Sequence, residues 1–178
     1  VRLTDTECAY IAGIIDGEGS ISLQRSTARS SAAYFYPLVR VANTDKALIE
    51  WLHGKVGKGH AGYTTRSHLG CKDCYHWALA SNEAIALLEL VRPYLVVKAL
   101  RADVVLAIWD ENKAYLAKMN RKCWGNHHPV PLPHRKFREA CYLFMTDLNR
   151  RGVGENENGV AVRQLLSEIR ELEAAPCH

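Results

Sequence analysis

The sequence predicts an α+β fold in which two pairs of antiparallel strands alternate with helices, followed by further helices toward the C-terminus. Three observations lead there. Apolar residues recur at period two over residues 20–26 and again over 34–42, the signature of strands with one buried face. Stripes at helical spacing flank these runs, and each is bounded by capping residues, glycine or proline. The resulting order is helix, strand, strand, helix, strand, strand, helix, two similar halves inside one short chain.

Thr4-Asp-Thr-Glu7 has the form of a capping box, so a helix begins near Asp5 and runs to about Asp16, with Glu18 just past its end. Gly13 and Gly17 lie four apart on one face with Ala9 a turn earlier, a flat stripe that another backbone can approach closely. The first strand, Ser20 to Ser26, buries Ile21 and Leu23 and turns Ser22, Gln24 and Ser26 the other way. A polar loop leads to the second, 34–42, with Val39 and Val41 inward and Tyr34, Tyr36, Leu38 and Arg40 outward. Asn43-Thr44-Asp45 opens a helix whose stripe is Ala47, Leu48, Trp51 and Leu52 and which closes at Gly57. A second strand pair covers about 59–66 and 74–80; the outward parity of Tyr75, His76 and Trp77 stays open. Ser81 or Asn82 then caps a helix carrying Ile85, Leu88 and Val91, which Pro93 stops.

A longer helix spans about 97–117. Two more amphipathic helices follow, 134–149 with Phe137, Cys141, Phe144 and Leu148 on one face, and 160–173 with Leu165, Leu166, Ile169 and Leu172. The 150–159 stretch between them reads as a Gly/Asn-rich loop carrying Arg150 and Arg151. At 178 residues the chain fits one domain, 1–178, with 134–178 as its helical extension.

The composition, 48% apolar and 24% charged, is that of a globular protein, and a formal net charge of +4 is too modest to identify a partner. The distribution says more. Residues 20–76 hold eight Lys or Arg against three Asp or Glu, whereas five Glu outweigh two Arg from Glu155 onward. A polyanion is therefore expected to dock on the middle of the chain. No run is apolar enough to span a bilayer and no secretory signal pattern is present, so an intracellular location is expected, with organelle, bacterial and archaeal interiors equally compatible. Nothing in the sequence points to a small-molecule substrate.

Residues 11–19 read Ile-Ala-Gly-Ile-Ile-Asp-Gly-Glu-Gly. This nonapeptide resembles the LAGLIDADG motif of homing endonucleases, with Ile for Leu, Gly17 for Ala and Glu18 for the second Asp. The resemblance implies the αββαββα fold of that family, a saddle-shaped antiparallel sheet with helices on one face. It also implies a site-specific endonuclease that cuts both strands of a long pseudo-palindromic DNA target, leaving 3′ overhangs. Because the motif occurs once, the resemblance is to the single-motif members, which act as homodimers. Two copies of Glu18 then meet through the Ala9, Gly13 and Gly17 face.

The same resemblance assigns the chemistry. Glu18 is the carboxylate ligand of a divalent metal, and the Gly17 carbonyl is the second protein ligand. The expected ion is Mg2+, with Mn2+ as a substitute and Ca2+ as a non-cleaving one. Pro93-Tyr-Leu-Val-Val-Lys98 matches the family segment that supplies a lysine beside the scissile phosphate. Asn43 stands where the family commonly has Gln near the hydrolytic water, and Lys46 is a candidate basic partner at a different spacing.

The sheet face away from the helices is expected to read double-stranded DNA. Ser22, Gln24, Ser26, Tyr34, Tyr36, Leu38 and Arg40 are the candidates there, joined by Arg66, His68, Tyr75 and Trp77. Gln24 and Arg40 are the best base readers, since Gln bonds adenine and Arg bonds guanine bidentately. Lys72, Arg150 and Arg151 suit phosphates. Six cysteines without a secretory signal read as reduced thiols or metal ligands. Cys71 and Cys74 have zinc-ligand spacing, and Cys123 and His127 could complete a structural Zn2+ site. Two competing classes are a splicing maturase or non-cleaving DNA-binding regulator of the same fold, and a zinc-stabilised interaction module. Retention of Glu18 and Lys98 favours the nuclease.

Overall fold

The computed structural model describes residues 3–26, 34–65, 72–118 and 132–151, together with 160, 162, 164 and 167. Helix α1 is Asp5–Glu18, strand β1 Gly19–Ser26, β2 Tyr34–Asn43, helix α2 Lys46–Val56, β3 His60–Thr64, β4 Cys74–Ala80 and α3 Ser81–Val91. After a short 3-10 turn at Arg92–Tyr94 come α4, Ala99–Lys118, and α5, Leu132–Arg151. The αββαββα order expected from the sequence is the order observed. The four strands form one sheet in the order β1-β2-β4-β3. β4 pairs antiparallel with β2 on one side and with β3 on the other.

The chain divides into two compact units, Val1–Ser22 with Tyr36–Leu106, and Leu23–Phe35 with Ala107–His178. In the first, Ile21, Val39, Val41, Trp77 and Leu79 are fully or almost fully buried on one parity of the sheet. Ile11, Ala12 and Ile15 of α1, Leu52 of α2, and Leu88 and Val91 of α3 are buried to the same degree. Each of the Ile, Leu and Val side chains removed from water contributes about 1.5–3 kcal/mol. In the second unit Phe137, Cys141, Phe144 and Leu148 of α5 are buried, the face expected from their spacing. Its one buried charge among the described residues is Glu111. The Glu111 carboxylate bonds the His134 imidazole and accepts from Arg138 Nε at 3.0 Å.

Several boundaries differ from the sequence reading. α1 continues through Glu18, and the Gly19 N–H closes it on the Ile15 carbonyl. A side chain at Gly19 would put its Cβ 2.7 Å from Ile15 Cα, so only glycine lets the chain leave the helix this tightly. The buried stripe of α2 is Ile49, Leu52 and Val56; of the expected stripe only Leu52 is buried, because the helix is apolar on a second face too. Neither Ser81 nor Asn82 caps α3: Ala80 precedes it with no side-chain cap, and Ser81 itself takes φ +52 as strand turns directly into helix. Arg150 and Arg151 belong to the end of α5 rather than to a loop. Leu165, Leu166, Ile169 and Leu172 lie outside the described residues. No helix among those described is long and apolar enough to cross a membrane.

Candidate nucleic-acid interface and metal site

α1 ends on two carboxylates, Asp16 and Glu18, with no basic residue in its last turn. Negative charge at a helix C-terminus opposes the macrodipole, a cost of about 0.3–1 kcal/mol for each group. Asp16 is compensated. Its Oδ2 accepts the N–H groups of Val96 at 2.7 Å and Val97 at 3.1 Å, and its Oδ1 accepts that of Lys98 at 2.9 Å. Burial alone would raise its pKa, but the three backbone donors win and hold it below the usual carboxylate range. Asp16 is thus a brace for the turn that enters α4, with both oxygens taken.

Glu18 is exposed, and the interaction it makes among the described residues is with the charge of Lys98. The Lys98 ammonium donates to the Asp16 carbonyl. Burial pushes the lysine pKa down, Asp16 and Glu18 oppose that, and Arg101 adds to it. The fold therefore brings Lys98 to residues 16 and 18, from which it is 80 or more positions away along the chain. Arg101 was missed by the sequence reading; its position three residues after Lys98, on the same face of the first turn of α4, was the available signal.

Asn43 and Lys46 sit at the β2–α2 junction, where Asn43 Oδ1 accepts the Asp45 N–H at 2.8 Å and Asp45 caps α2 through the Ala47 N–H at 2.8 Å. Lys46 is exposed and ion-paired with Glu50 at 2.8 Å. Asn43, Asp45, Leu48, Trp51 and Tyr10 line a shallow groove, with the Tyr10 and Trp51 rings edge to face at 5.0 Å.

The stripe of Ala9, Gly13 and Gly17 is exposed along α1. A Cβ added at Gly13 or Gly17 would meet nothing within 4 Å, so nothing among the described residues requires glycine there. Each glycine still costs the helix about 1 kcal/mol relative to alanine.

On the sheet, the pairing Val41↔Trp77 and Arg40↔Ala78 decides the open parity. Trp77 is 0% exposed and its Nε1 donates to the Lys58 carbonyl at 2.9 Å, so it is a core residue and not a DNA contact. Tyr75 shares the Trp77 parity, with its ring 6.4 Å from that of Tyr63, and leaves the outward set as well. The residue on the Arg40 side is His76, joined by His60 of β3. Ser22 and Gln24 are half-buried on the outward parity of β1, as is Ser26, and Tyr36 and Leu38 are half-buried on that of β2. The Ser20 hydroxyl donates to the Arg40 carbonyl at 3.4 Å and that of Ser22 to the Leu38 carbonyl at 3.5 Å; one index falls as the other rises, as in an antiparallel pair. Arg40, Lys72 and Arg150 are exposed.

Tyr34 lies in β2, but its side chain is outside the described residues, as is that of Arg151. Arg66 and His68 lie outside them altogether, as do Cys71, Cys123 and His127 of the expected zinc set. Cys74, the remaining member, is a free thiol at the start of β4. Among the described residues no three His, Cys, Asp or Glu side chains group to hold a metal.

No protein-family model and no curated protein sequence matches the chain. Solved structures do. The homing endonuclease I-CvuI, in complex with its target, superposes with a TM-score of 0.61 at 17% identity over 93% of this chain and 96% of its own. The archaeal intron-encoded homing endonuclease I-Vdi141I, complexed with DNA, gives 0.59 at 15% over 94% and 98%. The homing endonuclease I-TnaI gives 0.53 at 16% over 96% and 100%. The chain has the homing-endonuclease fold. In that fold this chain places the nonapeptide on α1, Glu18 at the tip of the helix and Arg40 on the sheet face away from the core.

Proposed function

We propose that the chain is a site-specific, metal-dependent DNA endonuclease that acts as a homodimer on a pseudo-palindromic duplex and cuts both strands to leave 3′ overhangs. The observation that carries this reading is the end of α1: an exposed carboxylate with uncommitted oxygens, within electrostatic reach of Lys98, beside a bare glycine stripe. Two copies joined along Ala9, Gly13 and Gly17 would present one Glu18 to each DNA strand. That pairing offsets what the glycines cost the single helix.

The donor set suits a hard divalent cation, since Glu18 and the Gly17 carbonyl offer oxygen and Asp16, fully bonded, does not compete. Mg2+ is the expected ion, with Mn2+ in its place and Ca2+ supporting binding without cleavage; I-CvuI itself was solved with Ca and with Mg. When bound, such an ion stabilises charge on the oxygens entering and leaving phosphorus. Lys98, fixed by its bond to Asp16, supplies positive charge where the phosphoryl oxygens become more negative. Asn43, its carbonyl oxygen spent on the helix entry, offers its amide NH2 to a water. Lys46 reaches a phosphate by giving up Glu50, an exposed pair that solvent screens. Arg40 and Gln24 read base edges, while Lys72, Arg150 and Arg151 contact phosphates.

The test is cleavage of a site selected from randomised duplex DNA. In Mg2+, Glu18→Gln is expected to cut about 10³-fold more slowly while binding the site normally in Ca2+. Wild-type cleavage rates in the variant would remove Glu18 from the metal site.

A further inference from the structure

The face of β2, β4 and β3 that carries Arg40 has an ordered relief. The registers place Arg40, Ala78 and His60 in one cross-strand row, and Ala42, His76 and Gly62 in the next. Long polar side chains and small residues therefore alternate like a checkerboard, with each long chain standing diagonal to the next. Adjacent strands are about 4.8 Å apart, so three polar tips are spread over a floor of Ala42, Ala78 and Gly62.

The two imidazoles lean over Gly62. A Cβ there would lie 2.9 Å from His76 Nε2 and 3.4 Å from His60 Nε2, so the two ring nitrogens approach one point above a bare backbone. The rings are 6.3 Å apart and inclined at 49°. His76 Nδ1 is enclosed without a hydrogen-bond partner, so Nε2 is the atom through which this residue can bond anything outside the chain. A polar side chain held half-buried at such a cost, on the sheet face that carries Arg40, is arranged for a partner rather than for the fold.

We infer that His76 and His60, set around Gly62 and diagonal to Arg40, determine base specificity by bonding the major-groove edges of neighbouring base pairs. The inference rests on the proposed function and adds to it His60, absent from the sequence-based set, and His76, whose parity the sequence left open. Imidazole nitrogens match the N7 and O6 edges of purines, whereas phosphate contacts would position the duplex without reading it.

The test is a cleavage selection on randomised half-sites in Mg2+, run with wild type, His76→Ala, His60→Ala and Gly62→Ala. His76→Ala is expected to flatten base preference about tenfold at one or two adjacent positions of each half-site and to leave the others sharp. His60→Ala should act at the same or the next position. Gly62→Ala keeps both histidines but displaces the His76 tip, and should blur the same positions as His76→Ala. A selective wild type whose preferences are unchanged in all three variants, or lowered uniformly as for lost phosphate contacts, overturns this inference alone. A wild type with no sequence preference overturns the proposed function and this inference with it.

Discussion

Asp16 and Lys98 hold each other twice: the Asp16 carboxylate accepts the Lys98 backbone N–H at 2.9 Å, and the Lys98 ammonium donates to the Asp16 carbonyl. The first acid of the nonapeptide thereby fixes the position of the lysine that stands beside the second. Asp16→Asn keeps the shape but puts an NH2 where at least one of the three backbone donors points. It should cost about 1–3 kcal/mol in urea unfolding and slow cleavage more than it weakens DNA binding. Equal losses of rate and affinity would mean that Asp16 does not position Lys98.

Glu7 closes the capping box on Thr4 and pairs with Lys55 at 2.7 Å. The Lys55 bond first, then the Thr4 bonds, bring its carboxyl from 4.5 down to about 2. A depressed folded-state pKa contributes stability that is complete above the unfolded value and is lost as pH falls. The thermal midpoint should therefore drop between about pH 4.5 and pH 2, and Glu7→Gln should make that part of the profile shallower. Superimposable profiles would assign acid lability to other carboxylates, Asp16 among them.

Gly13→Ala tests the proposed dimer. The added methyl meets nothing within 4 Å in one chain and improves helix propensity, so an isolated chain should gain about 1 kcal/mol. In a dimer packed along this stripe the same methyl holds the helices apart. Sedimentation should show a higher dimer dissociation constant, and Gly13→Leu should raise it further. An undiminished dimer would exclude this face as the interface.

Glu111 is a buried charge of the second unit, its side chain 1% exposed and bonded to Arg138 and His134. Glu111→Gln leaves Arg138 without its counter-charge, and unfolding should show a loss of about 3–5 kcal/mol. Site preference on DNA should not change, which distinguishes this variant from His76→Ala.

Much of the fold was legible because its signals are local. The capping box, the alternation around Ile21 and Val39, the close of α2 at Gly57 and the α5 face from Phe137 to Leu148 each depend on residues within a few turns or pairs. Glu18 and Lys98 were legible through motif resemblance, and their proximity is a finding of the structure. Two readings failed where the sequence is apolar or aromatic on both sides. α2 carries Leu48 and Trp51 next to Ile49 and Leu52, and either stripe could face the core. β4 carries Tyr75, His76 and Trp77 in succession, so periodicity names no inner face.

The sequence by itself determined the order of elements and the carboxylate that ends α1, since hydrophobic period, capping and turn chemistry act over short separations. Tertiary structure alone decided that Trp77 is core and His76 faces outward, because strand register is set by the pairing of Val41 with Trp77 across 36 positions. It alone decided which groups hold Asp16 and that Glu18 stays exposed. That distinction depends on three backbone N–H groups arriving from residues 96–98, a contact that nothing local to the nonapeptide encodes.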